Sequence, residues 1–252
     1  MPRRAHTAQI SPIFLLLVAI TVCGGALCVT DSTVMVTVGV VLLVLGGWAV
    51  SLCLHEFGHA LVAYRGGDTS IANRGYLTLD IRRYLNPMLS FGLPLLFLVA
   101  GGIPLPGGAV WINDWALRTR ALRSLVSLAG PLINLVLGIA LAVVTSVVGM
   151  PDGLLYGLSY LALIQVLAFL LNILPVPGLD GFGVLEPYLS GAARAAADKV
   201  RPWAPLVFFV VLIGVPGVSS VLFAVGQALF AALGGDESAA GAGYSLFIFW
   251  RH

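Results

Sequence analysis

Apolar positions along this chain run on in long blocks instead of alternating. Such blocks occupy 11–30, 34–64, 124–149, 154–177 and 203–233, and each has roughly the 20 residues that a helix needs to cross a bilayer. A shorter block at 88–105 is broken by Pro94 and runs into "GGIPLPGG" at 101–108. The pattern predicts an all-α polytopic membrane protein with about five to six transmembrane helices, and 88–108 reads as a re-entrant hairpin between the second and third long blocks. Two pieces beside it are β-prone: "YLTLDI" at 76–81 alternates as a strand does, and "AVWI" at 109–112 is similar. Open strand edges cannot face lipid. These pieces are therefore expected to pair with one another or to line a cavity, where an edge could accept an unwound peptide. An ordinary cytoplasmic hairpin is the alternative. The tail "YSLFIFW" at 244–250 is too short to span and is expected at the membrane interface.

Composition agrees with a bilayer as solvent. Of 252 residues, 59% are hydrophobic and 10% charged, against about 25% charged in soluble domains, and the mean hydropathy is +1.01. A formal net charge of +2 says little about partners, nothing in the chain resembles a nucleic-acid-binding patch, and no nucleic-acid partner is expected. Cys23, Cys28 and Cys53 all lie in apolar stretches without a CxxC pair, which favours small buried hydrophobes over a disulfide framework or a cysteine metal site. The start of the chain has the basic and apolar regions of a signal peptide, but the apolar run passes Val29 without a small-x-small cleavage site, so it is read as an uncleaved first span. Residues 1–10 then form a cytoplasmic tail and 11–252 a single integral-membrane domain. Arginines give the orientation. Arg3 and Arg4, then Arg65, Arg74, Arg82 and Arg83, then Arg118, Arg120 and Arg123, and finally Arg194, Lys199 and Arg201 all fall on one side, while 31–33, 150–153 and 234–243 hold acidic residues and no Lys or Arg. The positive-inside rule puts the N-terminus in the cytoplasm.

Inside the second block lies "HEFGH", His55 to His59. An ionisable residue at mid-bilayer costs about 2.5–3.5 kcal/mol on insertion scales, so three of them need a compensating role. H-E-x-x-H on a helix stacks two imidazoles one turn apart. That spacing suits two zinc ligands, with the intervening Glu56 able to take a proton from metal-activated water. The alternative is a pair of histidines hydrogen-bonding between helices. A catalytic zinc wants a third protein ligand and an open position. His6 and His252 lie at the chain ends. Asp180, in "NILPVPGLDGFGVLEP", lies just past the cytoplasmic end of the 154–177 block, at the depth of the two histidines, after prolines that stop the helix. A turn aspartate before glycine is the competing reading. Asn134 is a polar amide in an apolar helix, for which an interhelical hydrogen bond is the plain expectation.

The pairing of "HEFGH" with the distant "LPVPGLDG" resembles the site-2 protease family of intramembrane zinc metalloproteases. The resemblance extends to "RGGDTSIANRGYLTLD", to "LNPM" at 85–88 and to "SLAGPLINLVLGI" at 127–139; it covers a motif core of about 48–187 and is similar to the small branch without PDZ or CBS domains. It implies that His55, His59 and Asp180 hold Zn2+, that Glu56 is the catalytic base and that Asn134 holds substrate near the site. It further implies peptide-bond hydrolysis in or near transmembrane segments of single-pass membrane proteins, in a prokaryotic cell membrane with the active site toward the cytoplasm. Gly178, where relatives often have a second proline, and the glycine-rich 101–108 depart from the family pattern. The rival class is a non-proteolytic zinc-binding membrane scaffold or chaperone; its sign would be a missing base or ligand, and none is missing. Neither the substrate nor the oligomeric state follows from these residues.

Overall fold

The structure is a computed structural model and describes residues 10–84, 112–215 and 217–251. Its first helix, α1 (Pro12–Leu27), starts where the Ser11 hydroxyl accepts the Phe14 N–H at 3.0 Å and Pro12 takes the first helical position. The remaining α-helices among the described residues are α2 (Thr33–Gly66), the single turn α3 (Ser70–Asn73), α4 (Arg120–Val147), α5 (Asp152–Ile173), α6 (Asp180–Leu185), α7 (Gly191–Val200), α8 (Ala204–Gly214), α9 (Val218–Ala232) and α10 (Glu237–Phe247). The 34 residues of α2 reach about 51 Å at 1.5 Å per residue, well beyond the ~30 Å hydrocarbon core.

Among the described residues, helices α2, α4 and α5 are long and apolar enough to cross a membrane, and α8 with α9 makes a fourth if that pair, bent by 91°, counts as one span. The expected single span at 203–233 is thus two helices. The first helix ends at Gly214, and Gly217, with φ +89°, stands at the N-cap of the second. The expected first span is α1, whose 16 residues fall below the usual crossing length.

Helix α2 stands at the centre, against α1, α4, α5 and α10, and α5 is packed by α2, α4, α9 and α10. The core between them joins Val40, Leu43 and Val44 of α2 to Tyr160, Ile164 and Leu167 of α5 and to Phe230 and Phe247. Outward positions are apolar as well: Val136, Val144 and Val147 on α4 and Val207, Val210, Val221 and Val225 on α8 and α9 are exposed. A surface of this kind is matched to lipid, because in water it would be a large contiguous apolar patch.

The tail does not stand free: α10 is docked on α5, with Phe247 and Ile248 buried and Tyr160 ringed by Tyr244 and Phe247 at centroid distances of 5.7 and 5.5 Å, while Phe249 and Trp250 stay exposed. Small residues permit this, since a Cβ at Gly243 would lie 2.1 Å from the Tyr156 carbonyl oxygen. The 76–81 piece is no strand, and beyond an isolated bridge at Thr78 the described residues contain none. Gly75 turns the chain with φ +73°, the Tyr84 hydroxyl reaches the carbonyls of Thr78 and Tyr76 at 2.5 and 3.1 Å, and Asp80 caps the 3-10 turn Ile81–Arg83. Side chains thereby satisfy backbone groups that a strand ladder would have used. The expected re-entrant segment 88–108, "LNPM" and most of "AVWI" lie outside the described residues. Of the cysteines, Cys28 and Cys53 are buried as expected and Cys23 is exposed.

Replacing Gly243 by Leu forces α10 off α5. Overpacking of this kind costs about 1–3 kcal/mol or more, so the purified Gly243→Leu protein should melt several degrees below wild type in detergent, whereas Gly241→Ala, at a position with nothing within 4 Å, should melt like wild type.

Candidate metal centre

One turn of α2 presents His55 and His59 to the antiparallel helix α4. As α2 advances from 55 to 59, α4 runs back from 134 to 126. His55 Nδ1 meets Asn134 Oδ1 at 2.5 Å, and His59 Nδ1 meets the Val126 carbonyl oxygen at 2.7 Å. Both partners are acceptors, so both Nδ1 atoms carry the proton and donate it. Each ring is then left with a bare Nε2 lone pair. Near Val126, Pro131 has no N–H to offer the Ser127 carbonyl four residues back, which loosens the ladder of α4 at this point.

Asp180 reaches the same place from the other side. Helix α5 ends at Ile173, with Leu174 held extended (ψ 139°) ahead of Pro175. The loop turns through Gly178 at φ +97°, and Asp180 opens α6. Contact with α4 fixes that helix: the Ser124 hydroxyl donates to the Val184 carbonyl at 2.7 Å. Asp180 Oδ2 lies 3.2 Å from His55 Nε2, and Oδ1 lies 3.5 Å from His59 Nε2. The two Nε2 atoms are 3.1 Å apart.

The ligand atoms of His55, His59 and Asp180 lie within 4.8 Å of one another. With both Nδ1 protons committed elsewhere, three acceptors converge and none of them brings a donor. A cation satisfies all three together. Two imidazoles and one carboxylate form the donor set of a catalytic zinc site with one position left open, and zinc fits it. The backbone leaves the necessary room: a Cβ at Gly130 would stand 2.2 Å from His59 Nε2 and 2.5 Å from His55 Nε2. The imidazoles are deeply buried, at 3% and 6% exposure, whereas the Asp180 side chain is 25% exposed, so the cluster opens to its surroundings on the aspartate's side.

Glu56 is buried too (3% exposed) and stands about 100° around the helix from His55. Two other carboxylates, Asp80 and Glu186, are engaged elsewhere. Asp80 is chelated by Arg82 at 2.8 and 3.0 Å, and those hydrogen bonds lower its pKa; Glu186 pairs with Arg201. His6 and His252 lie outside the described residues. Asn134 is buried at 3% exposure, and its Nδ2 donates to Gln165 Oε1 of α5 at 3.0 Å. Gln165 and Gly130 were not anticipated from sequence. The criterion that drew attention to Asn134, a polar amide in an apolar helix, applies equally to Gln165 in "SYLALIQVLAFLL".

Comparison with known proteins follows the same lines. No family model matches the chain, and no solved structure does. A Mycobacterium tuberculosis (strain H37Rv) protein named "Putative zinc metalloprotease Rip2" is 47% identical over 245 residues, covering 95% of this chain and 94% of that one. Its namesake from Mycolicibacterium smegmatis is 43% identical over the same length. "Putative zinc metalloprotease YwhC" of Bacillus subtilis is 34% identical over 176 residues, 65% of this chain and 77% of that protein. The fold and the three-ligand cluster define a membrane protein able to bind a metal ion in its helical core. The chain belongs to the site-2 protease-like family of zinc metalloproteases, with relatives in bacteria.

Removing the third ligand leaves two imidazoles, too few for a tight catalytic site. Asp180→Ala is expected to strip zinc from the purified protein, Asp180→Asn to retain an intermediate amount, and Glu186→Ala and Asp80→Ala to hold it as wild type does. Metal analysis of the four proteins checks this, and full occupancy in Asp180→Ala would move the ligand elsewhere.

Proposed function

We propose that this protein is an intramembrane zinc endopeptidase that hydrolyses peptide bonds in or near the transmembrane segments of single-pass membrane proteins. The observation that carries the reading is the convergence of three acceptors, His55 Nε2, His59 Nε2 and Asp180, within a body whose outward surface is apolar. When bound there, zinc polarises a carbonyl and makes water acidic enough to act as a nucleophile near neutral pH. The chain's own residues supply the rest. Glu56 takes the proton of the attacking water and returns it to the leaving amine. The hydrogen bonds to Asn134 and Val126 keep both imidazoles in the tautomer that ligates. The surrounding helices exclude bulk water, which strengthens every electrostatic interaction in the site. A substrate helix has to be locally unwound to present a peptide bond, and the exposed side of Asp180 is where such a segment would enter.

Helix α1, short for a span by itself, and the bent pair α8–α9 complete five crossings in this reading. The N-terminus, the 66–87 region and α7 with its flanks face the cytoplasm, in keeping with their arginines. The site lies near the C-terminal end of α2 and just beyond the end of α5, so cleavage is expected toward the cytoplasmic end of the substrate's span.

Two measurements test this. Glu56→Gln keeps the shape of the side chain and removes its basicity; zinc content is expected to remain, and cleavage of a transmembrane substrate to fall by about 10²–10⁴-fold or more, the usual range for a lost general base. Cleavage at wild-type rate would take Glu56 out of the mechanism. For orientation, single cysteines placed in a cysteine-free background should react with an impermeant thiol reagent on intact cells at the exposed positions Asp152 and Asp236, and should be spared at Thr69 and Ala195. Labelling of Thr69→Cys from outside would invert the topology.

A further inference from the structure

Asn134 does not end the chain of contacts that begins at the metal ligands. Its Oδ1 accepts from His55 Nδ1 at 2.5 Å, and its Nδ2 donates to Gln165 Oε1 at 3.0 Å. Gln165 stands on a different helix, α5, at 1% exposure. A carboxamide has an acceptor end and a donor end of nearly equal shape, so its direction is fixed only by its partners. If Asn134 turned over, its NH2 would face His55 Nδ1. That ring nitrogen would then have to become the acceptor, moving the proton to Nε2, the atom that faces Asp180 and His59. Gln165 opposes this flip by offering an acceptor to Asn134 Nδ2.

Gln165 keeps its own direction at a cost. Its Nε2 has no hydrogen-bond partner among the described residues, and a buried donor left unpaired is destabilising. Turning the Gln165 amide around would set NH2 against NH2 and leave donors of both residues unpaired. The direction seen is therefore the better of two imperfect arrangements, and it is the one that suits His55 as a ligand.

We propose that Gln165, acting through Asn134, is a positioning residue that fixes the ligating tautomer of His55. The inference rests on the proposed metal site. It commits Asn134's buried amide to the metal ligand on one side and to α5 on the other. Partners of this kind, one shell out from a metal, are typically worth 10–100-fold in metal affinity.

The test is a double-mutant cycle on the full-length protein in detergent, with zinc affinity read by chelator competition and the ligand field read from the visible absorption of the Co2+-loaded protein. Gln165→Met keeps the volume and removes the amide. It is expected to weaken zinc about 10–100-fold and to alter the Co2+ bands. Asn134→Asp replaces the amide with a carboxylate that presents an acceptor to His55 whichever way it turns. Gln165→Met made in that background is therefore expected to leave zinc affinity within about twofold of Asn134→Asp alone, the scatter of independent sites, and to leave its Co2+ spectrum unchanged. Equal loss in both backgrounds would make Gln165 a packing residue and overturn the proposal. So would wild-type affinity in Gln165→Met. If Gln165→Met does not fold, the comparison of Asn134→Asp with Asn134→Asp/Gln165→Met still decides, because a tenfold difference between those two contradicts the relay. His55→Ala separates the two readings: zinc retained in that variant sinks the metal site itself, whereas zinc lost there but unaffected by Gln165→Met sinks only the relay.

Discussion

Two carbonyl-type acceptors on α4, Asn134 Oδ1 and the Val126 backbone oxygen, each take the Nδ1 proton of an imidazole on α2. Much else in the molecule follows from that pair of hydrogen bonds. They require α2 and α4 to run antiparallel in one register, because the later imidazole, His59, meets the earlier acceptor, Val126, and His55 the later one, Asn134. They require the backbone of α4 to come against the rings, which is why position 130 carries no side chain. They also leave two bare Nε2 atoms facing a carboxylate, which is stable only with a positive charge among them. In an interior this apolar, the metal site and the helix packing are a single arrangement.

The sequence was most informative where one physical constraint acted alone. Helices α2, α4 and α5 follow the apolar blocks to within a few residues, because only length and hydropathy decide a crossing and arginine or proline marks where it stops. The histidine pair was legible from i, i+4 spacing, and Asp180 from its depth after Pro175 and Pro177. Elements fixed by competition between local and tertiary forces were not. The alternation in "YLTLDI" imitates a strand, but the Tyr84 hydroxyl captures the carbonyls of Tyr76 and Thr78 from a few residues away. The tail looked interfacial by its aromatics, and its burial depends on small residues at 239, 240 and 243, whose effect appears only once α5 is beside them. The block at 203–233 has the hydropathy of one span, yet it holds two helices.

Gln165 was missed for a different reason. One amide in a helix of leucines, alanines and valines barely changes a hydropathy window, and its meaning depends on a partner 31 residues away. Ionisable residues in such helices invite a question at once because their insertion penalty is large. An amide is cheap enough to pass unremarked, although in hydrocarbon it too must find partners.

Helix α5 serves the site at two points that are eight residues apart. At Gln165 it reaches Asn134 and so the back of His55; at Ile173 it ends and releases the loop that carries Asp180 to the front of the same ring. Eight residues of helix measure about 12 Å, and over that length α5 is buried against α2, α4 and α9. A rigid helix thus spaces one ligand relative to the support of another. A shift of α5 along its axis would disturb both together, so displacement of that helix by a neighbour could not loosen Asp180 and leave His55 untouched. The three ligands come from two segments far apart in sequence. Their mutual position is nevertheless set by three helices, α2 and α4 clasped through the imidazoles and α5 spanning from one side of the metal site to the other.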